Sequence, residues 1–163
     1  MFVRSAGERD LRAVRALLVE TWHATYDGIY GRERVTEITD EWHSVRSLEA
    51  RLKRPRAEFL VADDGARIGG MAYAAATTDP NIVTLHQLYV LPAFQRRGVG
   101  SDLLAEIEEC FPDARTLRVE VESQNSNALC FYRARGFTDT GEELAPGGTG
   151  FVIPALTLSK PLA

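Results

Sequence analysis

The chain has 163 residues, 45% of them hydrophobic and 26% charged, with a formal net charge of −4. That length suits one domain, expected over residues 1–163, able to bury about 70% of its extended surface without a disulfide or metal. The negative balance gives no footing to a general nucleic-acid binder, and no run approaches the ~18 apolar residues of a membrane span. Met1-Phe2-Val3-Arg4 lacks an export signal's basic and apolar regions, so a cytoplasmic location is the default. Cys110 and Cys130, in predicted helices among apolar neighbours and without zinc or redox spacing, read as core filler, and no metal is called for.

Phe2 to Ser5 reads as a strand, and Leu11, Val14, Leu17 and Leu18 predict a helix from Glu8 towards Trp22. The aromatic, glycine-broken stretch Trp22 to Gly31 predicts a turn lining a cleft. Val45, Leu48 and Leu52 carry a helix from Ser44 to Leu52 that stops before Pro55. Glu58–Ala62 and Arg67–Thr77 form a hairpin through Asp63-Asp64-Gly65-Ala66, and Ile82–Leu91 returns antiparallel after Asp79-Pro80-Asn81.

From Ser101 a helix carries Leu103, Leu104, Ile107 and Phe111 inward, Pro112-Asp113 ends it, and Thr116–Glu122 is the next strand. Strand, helix and strand make a crossover, so Ile82–Leu91 and Thr116–Glu122 are expected to be parallel. Ser126 or Asn127 caps a helix to Ala134 that Gly136 ends, and two last strands flank Ala145-Pro146-Gly147-Gly148-Thr149-Gly150. The expected architecture is α/β (α+β): a mixed, mostly antiparallel sheet of about seven strands with one parallel pair and about four helices.

Between strand and helix lies Gln95-Arg96-Arg97-Gly98-Val99-Gly100-Ser101. A helix start leaves about four N–H groups unpartnered and carries roughly half a positive charge, so it can hold phosphate. Gly98 and Gly100 let the backbone close on an anion, and Arg96 and Arg97 add counter-charge. No Gly-Lys-Ser/Thr follows, which removes the P-loop reading. A dinucleotide fingerprint is nearer, with Glu120 and Glu122 about twenty residues on, but Leu103 stands where its third small residue would pack and the hairpins oppose a doubly wound sheet.

The segment Gln95 to Gly100 resembles the acyl-CoA loop of the GNAT (GCN5-related N-acetyltransferase) family, whose pattern is Gln/Arg-x-x-Gly-x-Gly/Ala. Val121 to Phe137, with Asn125, Ala128, Phe131-Tyr132 and Gly136-Phe137, is similar to the family's second cofactor motif. The resemblance implies that the parallel pair splays apart and that the pantetheine arm of acetyl-CoA pairs with the strand edge Leu88-Tyr89-Val90. It implies an acetyl-CoA-dependent N-acetyltransferase that serves a primary amine of a small molecule or peptide through a ternary complex, with no metal. A homodimer is common among relatives, and nothing in the chain specifies its surface.

In that reading Tyr132 is the candidate acid for the departing thiolate, Asn125 holds the pantetheine arm, and the oxyanion meets a backbone N–H near Val90 or Leu88. Glu122 and His86 are the candidate bases, with Glu120 on the same strand face as Glu122. Arg133 and Arg135 read as exposed helix charge. Tyr26, Tyr30 and His43 are the candidate acceptor contacts, beside Trp22 and Trp42; Asp27 and Glu33 read as surface carboxylates. Trp22-x-x-Thr25-Tyr26-x-Gly28 looks like small bacterial acetyltransferases for small amines, polyamines or antibiotics. The alternatives are a non-catalytic acyl-CoA sensor and a nicotinamide-dependent oxidoreductase.

Overall fold

The computed structural model describes residues 1–144 and 153–162. Strand β1 (Phe2–Ser5) leads through a 3-10 turn into helix α1 (Leu11–Tyr30), followed by α2 (Arg32–Trp42) and α3 (Val45–Lys53). The antiparallel run β2 (Ala57–Asp63), β3 (Ile68–Ala76) and β4 (Ile82–Val90) precedes α4 (Val99–Cys110) and β5 (Thr116–Glu122). Helix α5 (Ser126–Ala134) and strands β6 (Thr138–Leu144) and β7 (Ala155–Pro161) complete the chain. The loop expected at Ala145 to Gly150 lies outside the described residues.

The strand order is β1-β2-β3-β4-β5-β7-β6, and β4 with β5 is the parallel pair. Leu85, Leu103, Ile107 and Leu117 are among its fully buried side chains, each contributing about 1.5–3 kcal/mol of transfer free energy. A second cluster gathers Trp22, Tyr26, Val35 and Ile38 under α1 and α2.

Five expectations need correction here. The stretch Trp22 to Gly31 is not a turn: α1 continues to Tyr30, because Val14, Leu18, Trp22, Tyr26 and Tyr30 repeat every four residues and bury one stripe despite Gly28. A fifth helix, α2, was not anticipated, although Val35, Ile38, Thr39 and Trp42 have helical spacing. The cap of α5 is Asn125, whose side chain accepts from the Ala128 N–H, rather than Ser126 or Asn127. Helix α4 also begins earlier than Ser101, at Val99, with Phe111 as its C-cap. Cys130 is exposed and so is not core filler, while Cys110 is half-buried and packs against the core's edge.

Where β4 and β5 part decides where a site can form. Parallel pairing runs from Ile82↔Thr116 to Leu85↔Val119 and stops. Beyond it, among the described residues, β5 pairs only with β7, up to Glu122↔Ala155, while β4 stays on β3, up to Val90↔Gly70. The register slips where Tyr73 faces Gln87 and Ala74 faces Leu85, which leaves His86 as the extra residue of a bulge. The bulge re-aims β4 at the point where its partner leaves, and a wedge opens between the strands.

Candidate active site

The wedge has one main-chain wall. The Leu91 N–H donates to the Gly69 carbonyl across β3, so by strand alternation the N–H and C=O groups of Leu88 and Val90 point the other way, into the gap. The Val90 carbonyl accepts from the Gln95 side chain at 3.0 Å, a bond made on that open edge. Tyr89, between them, faces α1 and lies 6.4 Å from the Trp22 ring centroid. The indole N–H of Trp22 faces the Tyr89 hydroxyl without closing a hydrogen bond of ordinary geometry.

At the end of β4 a 3-10 turn, Pro92–Phe94, precedes a loop in which Gln95, Arg96, Arg97 and Gly98 are all exposed. Arg96 has φ 63° and Gly98 φ 80°, left-handed backbone of the kind that turns successive N–H groups toward an anion. Gly98 is the N-cap of α4 and offers no side-chain cap, leaving the first-turn N–H groups of Val99, Gly100 and Ser101 without an intrahelical partner. A Cβ on Gly98 would meet nothing within 4 Å, whereas one on Gly100 would stand 3.2 Å from the Phe131 ring. Gly98 thus keeps open space at the helix start, and Gly100 lets α5 approach α4. Val99 is buried and anchors that first turn.

Arg135 departs from its reading as exposed helix charge. It donates to the Ser101 hydroxyl at 2.7 and 3.0 Å and lies 3.7 Å from the Phe131 centroid, tying α5 to the start of α4. Arg133 stays exposed and pairs with Asp139. Arg97 instead lies over Phe94, 5.6 Å from its centroid.

The opposite wall comes from α1, β5 and α5. Tyr26 and Tyr30, one turn apart, reach across the wedge: the Tyr26 hydroxyl accepts from Asn125 at 3.2 Å, and the Tyr30 hydroxyl donates to Glu122 at 2.9 Å. Glu122 is 6% exposed and also accepts from the Gln124 N–H at 2.7 Å, while Glu120 is exposed. Ala128 sits in the first turn of α5 with its N–H taken by Asn125. Burial first, then the Glu122 bond and charge, raise the Tyr30 pKa, and burial pushes that of Tyr26 up to about 12. Tyr132 is buried between Phe131 and Phe137, and burial, then Tyr26, hold its pKa well above the ordinary tyrosine value.

The other named residues fall outside this wall. His43 is 2% exposed, its ring 5.5 Å from Trp22 and its Nδ1 3.3 Å from Arg51, so it has almost no surface to offer an acceptor. Burial and the charges of Arg51 and Arg15 push its pKa down to about 3. His86 lies on the exposed bulge against the Tyr73 ring; surrounding protein, then Arg54 and Arg51, lower its pKa to about 4. Asp27 pairs with His23 at 2.6 Å. Sequence reasoning passed over Arg51 and Tyr73, which line a cavity beside His86; a basic residue on a predicted helix and a tyrosine in a predicted strand carry no signal of that meeting.

Among the described residues no group of three His, Cys, Asp or Glu is placed to hold a metal ion, and no helix is long and apolar enough to cross a membrane. A profile of the acetyltransferase (GNAT) domain matches residues 25–156. The spermidine N(1)-acetyltransferase of Thermoplasma acidophilum is 27% identical over 139 residues, spanning 83% of this chain and 86% of that one. The N-alpha-acetyltransferase RimI of Mycobacterium tuberculosis is 37% identical over 83 residues, 47% of this chain and 52% of that one. In fold, the PaiA N-acetyltransferase of Thermoplasma acidophilum, solved in complex with coenzyme A, superposes with a TM-score of 0.84 at 24% identity, covering 98% of each chain. With that profile spanning most of its length, the chain belongs to the GNAT acetyltransferase family and is an N-acetyltransferase.

Proposed function

We propose that the protein passes the acetyl group of acetyl-CoA directly to a primary amine of a small molecule or peptide, both substrates being bound in the wedge together. The observation that carries this is the open edge of β4: the main-chain groups of Leu88 and Val90 face the gap, and the bare start of α4 stands at its end. Buried main-chain groups need partners, and the amides of a pantetheine arm supply them as an added strand would. The N–H groups of Val99, Gly100 and Ser101, with Arg96 and Arg97, then meet the diphosphate.

The acceptor nitrogen attacks the thioester carbonyl; the C–N bond forms, the carbonyl oxygen gains negative charge beside the Leu88 or Val90 N–H, and the C–S bond breaks. Tyr132 donates to the departing sulfur. Its pKa lies above the ~8.5 of a thiol, so this donation is a hydrogen bond that stabilises developing thiolate, and the proton that balances the reaction comes from the acceptor amine. Glu122, held by Tyr30 and the Gln124 N–H, draws the ammonium into the wedge, and water beside Glu122 or the neutral His86 ring takes the proton. Asn125 orients the pantetheine arm together with Ala128, and Tyr26 and Tyr30 line the acceptor side.

Direct transfer suits the cysteines. Cys130 is on the exposed side of α5, and Cys110 ends α4 about 17 Å from its start by helical rise. The dinucleotide alternative needs a doubly wound parallel sheet, but among the described residues only β4–β5 is parallel. Thiol release from acetyl-CoA across a panel of primary amines tests the reading. Amine-dependent thiol supports transfer; coenzyme binding with no such thiol from any amine favours the sensor alternative.

A further inference from the structure

A cavity of about 330 Å³ between α3 and the bulge of β4, lined by Ala50, Arg51, Arg54, Tyr73, His86 and Gln87, has no part in the chemistry above beyond the His86 ring. Its charged groups are both guanidinium. The Arg51 guanidinium, half-buried, bonds the Trp42 carbonyl and His43 Nδ1, and among the described residues no carboxylate pairs with it. Arg54 adds a second guanidinium at the exposed rim. Tyr73 is 2% exposed, and its hydroxyl is sealed from solvent with no partner. The Gln87 side-chain oxygen is likewise buried and unpaired; a turn of the amide would present its N–H₂ instead. Among the described residues no Asp or Glu lines the cavity.

Buried polar groups without partners are uncommon because each forfeits a hydrogen bond to water. Two guanidinium groups on one cavity make a match for a carboxylate, which accepts bidentately from arginine, while the Tyr73 hydroxyl and the Gln87 amide, behind the cavity wall, would join it only once the carboxylate opens that wall. Gln87 precedes Leu88 on β4, and at about 3.3 Å per residue the cavity stands a few covalent bonds from the edge where transfer occurs. At the wedge's other side Glu122 suits an ammonium group.

We propose that this cavity holds a carboxylate of the acceptor, so that the preferred acceptor is an amine that also bears a carboxylate, such as an amino acid or short peptide, and not a polyamine. The inference rests on the transfer reading and names its substrate class. Kinetics with matched acceptors test it: 4-aminobutyrate against butylamine, glycylglycine against its amide, and spermidine. The carboxylate member of each pair is expected to show a KM at least tenfold lower than its partner, and spermidine to be poor. Tyr73→Phe and Arg54→Gln, which remove one oxygen and one exposed charge, are each expected to reduce that preference at least fivefold with KM for acetyl-CoA unmoved. Equal or better use of butylamine or spermidine, or a preference unmoved in both variants because water alone fills the cavity, overturns the proposal. If no amine releases thiol, the transfer reading falls, and calorimetry still decides the cavity: heat from 4-aminobutyrate that Tyr73→Phe abolishes supports it, and no heat refutes it.

Discussion

Substitution of Gly98 separates two demands that the structure makes on one residue. Its φ of 80° is left-handed, and an added Cβ would touch nothing within 4 Å. Alanine there pays the left-handed penalty of about 1–2 kcal/mol, partly offset by the ~0.4–1 kcal/mol that a less flexible unfolded chain returns. The net loss is about 1 kcal/mol, a fall in Tm of roughly 2–4 °C for a chain of this size. Asparagine tolerates the left-handed region and is expected to lose less than alanine, while β-branched valine loses more. Coenzyme affinity is expected to follow size instead, because the proposed site has the diphosphate approach through the free space beside Gly98: glycine binds best, then alanine, then asparagine. Scanning calorimetry and coenzyme A titration on the same samples read the two orders. If alanine and asparagine match glycine in Tm, the left-handed turn is not there; if affinity follows Tm instead of side-chain size, the loop does not approach the ligand.

Three further outcomes are expected. Tyr132→Phe lowers kcat at least tenfold while leaving acetyl-CoA affinity and Tm nearly unchanged, measured by steady-state kinetics and calorimetry; an unchanged kcat removes the donor role. Asn125→Ala costs about 1 kcal/mol through the lost cap of α5 and frees the Tyr26 hydroxyl; a denaturant titration showing no loss contradicts the cap. His43, neutral in the fold with a pKa near 3 against ~6.5 unfolded, takes up a proton on unfolding below pH 6.5. Stability therefore falls as pH drops from about 6.5 towards 3, by about 1.4 kcal/mol per unit. Exposed His86 adds a smaller, solvent-screened share, and Asp10, whose pKa is lowered by Arg4, enters only below about pH 4. Denaturant titrations at pH 6.5 and 4.5 read the slope; a slope unchanged in His43→Gln contradicts the assignment.

The strands, the crossover and the bare start of α4 were legible because their signals are local: Asp64-Gly65 marks a hairpin, and Gly98 with Gly100 marks an uncapped helix start. The acceptor side was not. Gly28 spoke for a turn, while the four-residue repeat from Val14 to Tyr30 spoke for a helix, and burial of that stripe, with Trp22 and Tyr26 packed on Val35 and Ile38 of α2, decided the matter. Only with α1 extended do Tyr26 and Tyr30 reach Asn125 and Glu122, residues more than ninety positions away. Arg135 was misread for the same reason: its partner Ser101 lies on another helix, 34 positions away, and no periodicity records that contact. His86 could be placed on β4 from sequence, but its role as the bulge residue depends on the register with β3, which only pairing reveals.

On the proposed reading the open edge of β4 and the start of α4 hold the coenzyme. Isothermal titration of coenzyme A into the purified protein tests it most directly: one site per chain is expected, with affinity sharply reduced in Gly98→Val although that variant remains folded. No heat of binding, or undiminished affinity in folded Gly98→Val, would contradict the account.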